Sequence, residues 1–411
     1  MPPAILRSSP ELKIVLENGT TYMSGETICG HVLRKSPSVD PDTSIFVRLH
    51  GRTEVKISSG GMTQQMIRSC FNFFDGSSEA LQIHQGPIHI PPNSSEYGRW
   101  PFAIILPKHP NLASLKRNNE DEKSFLPLSD VSSQGLPPTF WVKDRKGGRH
   151  TEGFVEYYLE ATMCCSSKQK DPFGKKKHKE FQAIQPLYVQ SNSSPIPNAL
   201  NTKHRSEFRL DFRPSIGQTM KKMLGSSQSP GYSFSLKWDF ATDLQIGSPT
   251  TIPLRLQANT IWKDTSEVRQ TMPPTILVKQ FTLALISTVH CNCKQLKFHP
   301  DGIRANSSLI LAEYTWSKAN GTPPKAQSHA PPGADMLIVP QNSTSVIDLG
   351  SALGIRTPTS SRGAEIYPTF TTYNIKNEHH IEWELTLTAA GEVAKCGGYQ
   401  PVTVIGPSSN L

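Results

Sequence analysis

The fold is decided by two stretches of sequence, Gly153-Phe-Val-Glu-Tyr-Tyr-Leu-Glu-Ala-Thr-Met163 and Ile381-Glu-Trp-Glu-Leu-Thr-Leu-Thr-Ala389. In both, apolar residues occupy every second position. Because side chains along a β-strand alternate between its two faces, each stretch predicts a long strand with one buried and one solvated face. Each is followed by a polar hairpin and a shorter strand that opens on Gln-Pro, at Gln185-Pro186 and Gln400-Pro401. The repetition predicts two related β-domains in tandem.

The rest of the chain has the pattern of further strands. Residues 45–57 and 234–240 alternate between apolar and polar side chains, with a bend expected at Gly51. The 34 prolines and 28 glycines supply turns between short strands. No segment has the pattern of an amphipathic helix longer than two turns. These features predict an all-β protein of antiparallel sandwich or barrel type, with the charged, Ser-rich residues 108–135 as a surface loop.

The length of the chain, 411 residues, is enough for about two or three domains. Residues 191–231 lack a strand pattern and are rich in Ser, Pro and Asn, so we expect them to form an interdomain linker. The predicted organisation is an N-terminal β-sandwich at residues 1–190, the linker at 191–231 and a C-terminal β-sandwich at 232–411.

Cysteine usage and hydropathy indicate the compartment. The seven cysteines have no spacing typical of a disulfide framework, and the N-terminus lacks the apolar core of a signal peptide. No run approaches the roughly 18 apolar residues that suggest a membrane span. A reducing, cytoplasmic location is therefore expected.

Positive charge is concentrated in one part of the chain. Of the formal net charge of +9, residues 141–225 contribute +8, from 16 Lys and Arg against 8 Asp and Glu. The densest cluster lies between two predicted strands and is a candidate contact for an acidic membrane or a phosphate group. Its residues are Lys168, Lys170, Phe173, Lys175, Lys176, Lys177 and Lys179. Lipid headgroups attract such lysines by about 1 kcal/mol each. The alternative is a solvated hairpin tip whose lysines only maintain solubility.

A metal site and an enzyme active site are both disfavoured. His290, Cys291, Cys293 and His299 suggest a metal site, but alternation along a strand separates His290 from the two cysteines, and the spacing differs from that of zinc sites. No catalytic or phosphate-binding motif is found, so neither enzymatic activity nor a cofactor is predicted. His379 and His380 are expected to face water, and Cys164 and Cys165 to point to opposite faces of a strand.

Several segments together resemble the arrestin family, especially the arrestin-like proteins of fungi. The similarity lies in their order and spacing over residues 11 to 405, since no single motif is specific. The segments are Tyr22-x-x-Gly25-x-x-Ile28-x-Gly30-x-Val32, Ile45-x-Val47-x-Leu49-x-Gly51, Trp100-Pro-Phe-Ala-Ile-Ile-Leu-Pro107, Leu136-Pro-Pro-Thr-Phe140, Val155-Glu-Tyr-Tyr-Leu-Glu-Ala161 and Pro368-Thr-Phe-Thr-Thr-Tyr-Asn-Ile375 ahead of Ile381–Gly391.

The resemblance implies two tandem, seven-stranded, immunoglobulin-like antiparallel sandwiches of arrestin type. It further implies a non-enzymatic adaptor, peripheral at the plasma membrane or endosome, that binds the cytoplasmic parts of membrane transporters or receptors and promotes endocytosis. Related adaptors recruit HECT-type ubiquitin ligases through Pro-Pro-x-Tyr. This chain has no such motif, so any recruitment of a ligase is expected to be indirect.

Two other functions remain open from the sequence. A retromer-type sorting subunit would share the double sandwich. A carbohydrate-binding β-sandwich is the alternative from another class, although the dispersed tryptophans and the missing signal peptide argue against it. Nucleic-acid binding is not expected, because the lysine cluster lacks interleaved aromatic residues.

Overall fold

The structure, a computed structural model, is built from β-sheets with a few short helices. Within the ranges that it describes, the predicted all-β fold is confirmed: two similar seven-stranded sheets lie in tandem along the chain. The ranges are 8–59, 66–76, 80–92, 98–117, 124–146, 149–170, 176–190, 203–211, 232–265, 267–293, 303–315, 338–339, 346–358, 366–389 and 392–407.

The first of two compact units contains Met1–Asn192, Val289–Ala305 and Phe370–Asn377. The elements of its N-terminal part are β1 (Leu12–Leu16), β2 (Thr21–Met23), β3 (Thr27–Arg34), β4 (Ser38–Ser59), β5 (Met66–Asp75), β6 (Leu81–Ile90), β7 (Gly98–Ile105), α1 (Leu112–Lys116), β8 (Phe140–Lys146), β9 (Arg149–Lys170) and β10 (Lys176–Gln190). One sheet has the order β1-β3-β7. The seven-stranded sheet has the order β2-β10-β9-β4-β5, with β6 paired to β4 and β8 to β9.

The second unit contains Ser193–Thr288, Asn306–Thr369 and Glu378–Leu411, so the units interleave along the sequence. The elements of this half of the chain are β11 (Lys203–Asp211), β12 (Ser233–Ala241), β13 (Asp243–Gln245), β14 (Leu254–Thr260), α2 (Glu267–Thr271), β15 (Ile276–Cys291), β16 (Ile303–Thr315), β17 (Ile338–Val339), β18 (Ile347–Asp348), α3 (Leu349–Ala352), β19 (Phe370–Thr371), β20 (Ile375–Ala389) and β21 (Glu392–Ile405). The predicted domain bounds remain predictions.

The sheets of this half repeat the arrangement of the first. A four-stranded sheet has the order β11-β12-β14-β18. A seven-stranded sheet has the order β13-β21-β20-β15-β16, with β17 paired to β15 and β19 to β20. Trp238 stacks on Trp383 with ring centroids 4.7 Å apart, and Phe281 packs beside Trp238. The alternating residues of β12 and β20 therefore face one core, as their sequence pattern predicts.

The predicted duplication extends to single hydrogen bonds. The short strand β2 pairs in parallel with the end of β10, and β13 pairs in parallel with the end of β21. Thr139 donates its backbone N–H to the carbonyl of Val189 (2.8 Å) and accepts from the N–H of Val189 through its hydroxyl (2.8 Å). Thr369 makes the same two bonds with Val404, at 2.7 and 2.9 Å. Both threonines stand within Pro-Thr-Phe, a repeat that the strand patterns alone did not single out.

The strands carrying Gln-Pro are longer than predicted. Pro186 and Pro401 do not open their strands but lie well inside β10 and β21. The N–H of Tyr188 and of Thr403, two residues after each proline, bonds to the neighbouring short strand on the side away from β9 and β20. Backbone N–H groups two residues apart point to the same side of a strand, so the nitrogen of each proline also faces outward. The missing N–H of the proline therefore removes no ladder bond to β9 or β20.

Gly30 and Gly51 lie where a side chain would be excluded. A Cβ on Gly30 would come within 2.5 Å of the carbonyl oxygen of Val15, in the strand next to it. Gly51 lies against the rings of Phe74 and Tyr157, with no space for a Cβ. The bend predicted at Gly51 is confirmed, because the pairing of β4 with β5 shifts register between Gly51 and Arg52.

Residues 108–135 were predicted to form a surface loop, but the structure also contains a short helix there. The helix α1 lies within them, and its Leu115 is fully buried. Asn111 caps the helix, its side chain accepting from the N–H groups of Ala113 (2.9 Å) and Ser114 (3.2 Å). A five-residue helix has too few positions to show a helical period. The prediction therefore followed the polar composition of the segment and missed the helix. Within the described ranges, no helix combines the length and the apolar character needed to cross a bilayer.

Candidate functional site

The lysine-rich segment lies at the junction of two paired strands, but both strands extend further into it than predicted. Lys168 and Lys170 belong to β9, and Lys176, Lys177 and Lys179 belong to β10. β9 and β10 run antiparallel from Leu187 opposite Tyr157 to Lys176 opposite Lys170. Phe173 and Lys175 lie outside the described residues, as do the side chains of Lys168, Lys170, Lys176 and Lys177. Lys179 is exposed. Contact of this segment with an acidic surface therefore stays a prediction.

A buried arginine lies at the base of this hairpin. The Cζ atom of Arg34 is 4.1 Å from the ring centroid of Phe181, and the Nζ atom of Lys179 is 4.7 Å from the same centroid. Arg34 is only 5 % exposed, and its Nη1 atom is 3.0 Å from the sulfur of Met163. Two cations share one aromatic ring, which stabilises them through cation–π interactions. The base of the hairpin therefore holds two cations on one ring, while the buried carboxylate of Asp40 in the same region offsets part of their charge.

Arg34 was missed from the sequence, although a signal was present. In β3 the inward positions are Ile28, Gly30, Val32 and Arg34, so an arginine occupies the parity of the core. A charged residue at a core position is uncommon unless it is paired or functional. The apolar stem and the Phe181 ring accommodate it at the end of the strand.

The face of the seven-stranded sheet that carries Glu54, Glu156 and Glu160 in the first unit has a cross-strand network of charges. Glu54 of β4 has a fully buried side chain and forms ion pairs with Arg52, Lys56 and Arg68. Arg52 also donates from Nε to Oε1 of Glu156 (2.6 Å). Burial raises the pKa of Glu156, and the charge of Arg52 partly offsets this effect. Lys56 also lies 4.0 Å from Glu152, so three cations face three carboxylates. The network therefore stabilises the sheet and offers no net attraction to an anion.

A second group on this face surrounds Glu160. The Nε2 atom of His50 lies 3.2 Å from its Oε2 atom, and Nη1 of Arg48 lies 3.6 Å from its Oε1 atom. The contact with His50 lowers the pKa of Glu160 to about 2, against the opposing effect of burial. His50 also stacks on Tyr158, with centroids 4.7 Å apart. Glu160 thus holds two neighbouring strands together as an anion.

The candidate metal ligands do not form a metal-binding group among the described residues. Cys291 and Cys293 are buried, and burial raises the pKa of the Cys291 thiol to about 12. The Cys291 sulfur packs against Gly153. A Cβ atom added to this glycine would lie 3.2 Å from the sulfur. His299 lies outside the described residues, and the described part of the chain holds no group of three His, Cys, Asp or Glu side chains suited to a metal ion. None of the seven cysteines forms a disulfide.

The prediction that His379 faces water is wrong. His379 is 4 % exposed and shares the inward parity of β20 with Ile375 and Ile381. Its Nδ1 atom lies 2.9 Å from the hydroxyl of Thr369. Burial, and then the neighbouring His380, lower the pKa of His379 to about 4. The strand begins earlier than the apolar pattern indicated, because polar residues, Asn377 and His379, occupy the inward positions between Ile375 and Ile381. The two adjacent cysteines follow the prediction, since Cys165 is buried and Cys164 is partly exposed.

A short segment from the C-terminal half of the sequence is buried in the first unit. Asn374 is fully buried, accepts from the hydroxyl of Thr53 (2.7 Å) and donates to the carbonyl of Ser69 (3.1 Å). Tyr373 stacks on Phe71, with centroids 5.3 Å apart. These residues belong to the segment Pro368–Ile375, so its polar residues contribute to the packing of the first unit.

Comparison with known proteins adds no family. No family model matches the chain, and no curated protein matches it significantly.

Proposed function

We propose that this protein is a non-enzymatic adaptor that binds the cytoplasmic parts of membrane transporters or receptors and promotes their endocytosis or ubiquitin-dependent trafficking. The proposal rests chiefly on the duplicated sandwich, in which Thr139 and Thr369 make equivalent bonds in two separate settings. Such a scaffold presents loops and strand edges over a large surface, and these are the features by which sandwich proteins bind extended peptides.

Contacts between the arrestin-like segments support the same proposal. The hydroxyl of Tyr157 donates to the carbonyl of Pro137 (2.7 Å), so two of the quoted segments are joined by a buried hydrogen bond. Gly30 lies opposite Phe102 across the pairing of β3 with β7 and leaves space for its ring. The residues that carry the resemblance therefore depend on one another physically, which chance matches would not.

The positive charge at the β9–β10 hairpin is consistent with a peripheral position at the plasma membrane or endosome. Arg34 and Lys179 add to the charge of the outer lysines. If each cation near an anionic bilayer contributes about 1 kcal/mol, the cluster would bias the protein toward such a surface. A ubiquitin ligase, where it takes part, would be recruited through another adaptor, since the chain lacks Pro-Pro-x-Tyr.

The function is tested by proximity labelling in cells followed by affinity purification of the full chain. We expect membrane transporters or receptors and endocytic proteins among the labelled neighbours. Recovery of a stable multi-subunit coat would instead support a retromer-type sorting subunit. Labelling of soluble enzymes alone would refute the adaptor function.

The membrane contact is tested by co-sedimentation with vesicles that contain phosphatidylserine. We expect the triple variant with Lys175, Lys176 and Lys177 changed to Glu to lose most of its binding at low salt. The control carries the same change at the exposed residues Lys116, Lys263 and Lys395. Because its net charge is identical, equal loss in both variants would show a general charge effect and not a hairpin contact.

A further inference from the structure

The outer edge of β10 is covered by an extended segment of the same chain. The backbone N–H of Ser9 donates to the carbonyl of Gln182 (2.7 Å). In return, the hydroxyls of Ser9 and Ser8 accept from the N–H groups of Gln182 (3.1 Å) and Ile184 (3.0 Å). Serine hydroxyls thus replace the carbonyls of a paired strand. The edge of a sheet is protected here by two residues that precede β1.

The duplication identifies the equivalent positions on β21. Pro186 corresponds to Pro401, and the outward bonds two residues later correspond as well: Tyr188 donates to Thr20 and Thr403 donates to Thr242, both at 2.8 Å. Counting back along each strand, Gln182 corresponds to Gly397 and Ile184 to Tyr399. The pairing of β20 with β21 runs without a register shift, so Gly397 and Tyr399 face outward.

These two positions on β21 form an open edge. Among the described residues, β21 pairs only with β20 and, through Thr403–Ile405, with β13. Residues 397–399 are exposed, and the side chain of Tyr399 is 74 % exposed. The rings of His380 and Tyr399 are nearly perpendicular, with centroids 6.2 Å apart. The outward N–H and C=O groups of Gly397 and Tyr399 are thus available for pairing.

We propose that the β21 edge around Gly397–Tyr399 binds an extended segment of a partner protein that carries serine or threonine, which adds to the sheet as a further strand. The chemistry is that of the equivalent edge, where hydroxyls and a backbone N–H satisfy the outward groups. Gly397 and Gly398 place no side chain beside the incoming backbone, and the Tyr399 ring offers a surface for one of its side chains.

A second copy of this chain is the less suitable occupant. Lys395 is exposed near the edge, and Pro401 lacks the N–H that a continued ladder would use. Lysine and proline on an edge strand oppose pairing between identical edges. A short segment that spans only the two glycines and Tyr399 avoids both. The inference depends on the proposed adaptor function only in assigning the segment to a partner protein.

The test uses hydrogen exchange of the full chain with a synthetic peptide. The peptide has the sequence of residues 5–13, Ile-Leu-Arg-Ser-Ser-Pro-Glu-Leu-Lys, which contains the segment that covers β10. We expect residues 395–400 to exchange at least about threefold more slowly with peptide at millimolar concentration. A control peptide with both serines changed to Val should give less protection. No slowing on β21, or slowing on β10 alone, would overturn the inference.

Two variants at one position separate the backbone from the side chain. Tyr399→Pro removes the outward N–H at a parity where Pro401 is already tolerated, whereas Tyr399→Thr keeps the N–H and removes the ring. We expect Tyr399→Pro to weaken binding at least about fivefold more than Tyr399→Thr, as loss of a backbone bond requires. Equal weakening would show that the ring alone binds. Protection that rises with protein concentration without peptide would show self-pairing and refute the assignment. All these readings use purified protein, so they are independent of the labelling result in cells.

Discussion

We predict that His379 makes the second unit less stable as the pH falls below about 6.5. The imidazole is buried as the neutral form, with its Nδ1 atom beside the Thr369 hydroxyl. Its pKa is lowered from 6.5 to about 4, so between these values the unfolded chain binds a proton that the folded chain does not. Stability then rises with pH, by linkage. The favourable contribution is complete above pH 6.5 and is lost as the pH falls toward 4.

The magnitude follows from the size of the shift. One pKa unit corresponds to about 1.4 kcal/mol, so a shift from 6.5 to about 4 gives about 3 kcal/mol between pH 7.5 and pH 4. The variant His379→Gln cannot take up a proton at this position. We therefore expect the difference in free energy of unfolding between the protein and this variant to shrink or reverse by about 3 kcal/mol over that range.

Urea unfolding at pH 7.5, 6.5, 5.5 and 4 provides the measurement. Hydrogen exchange of peptides from β20 and β21 reports specifically on the second unit, because unfolding of a two-unit protein need not be two-state. The variant His89→Gln serves as control, since His89 is exposed and the same residue type is removed. A difference between the protein and His379→Gln that is constant with pH would refute the reasoning, as would a pH dependence of equal size in the control.

Three further predictions concern polar contacts within the fold. Thr139→Val should lower the free energy of unfolding by about 1 kcal/mol and Thr369→Val by about 2 kcal/mol in urea titrations, because Thr369 also contacts His379; equal costs would argue against that added contact. Asn374→Leu should cost about 2 kcal/mol, since Thr53 loses its acceptor and the Ser69 carbonyl loses a donor; thermal unfolding at unchanged Tm would contradict this. Glu160→Gln should destabilise the protein at pH 7 but less at pH 3, because its pKa is lowered to about 2 and its contribution is lost as the pH falls from 4.5; an equal effect at both pH values in thermal unfolding would count against it.

Long strands were predictable because each carries its own pattern. β9 and β20 alternate over many residues, and burial of one face follows directly from that alternation. The prediction of a solvated second face is wrong for β9, because Phe154, Glu156 and Tyr158 on that face are also buried. The short strands β2 and β13 have only three residues each, which is too few for a period. Their positions are decided by pairing with the ends of β10 and β21, a property of the partner strand. Sequence patterns therefore indicate the strands that form the core and miss those that complete the sheet.

Polar contacts between distant residues were not predictable from local sequence. Nothing about Asn374 or Thr53 alone indicates that they bond to each other across more than 300 positions. The same limit explains the error at His379, since a histidine in a polar run resembles a solvated residue until its strand is extended toward the N-terminus. The lysine cluster was visible because charge density is a local property, whereas Arg34 required knowledge of which face of β3 is inward.

The two edge strands show why duplication is informative beyond fold. β10 and β21 share a proline at the same outward position, a threonine bridge at the same register and a short parallel neighbour. They differ in whether their outer edge is covered. Ser8 and Ser9 bond to the outward groups of β10, while Gly397 and Tyr399 are exposed on β21. An exposed edge is a liability that proteins usually cover. Ser8 and Ser9 cover the edge of β10, and among the described residues no segment covers the equivalent positions of β21. A partner segment would therefore find there the outward backbone groups that the same chain already satisfies on β10.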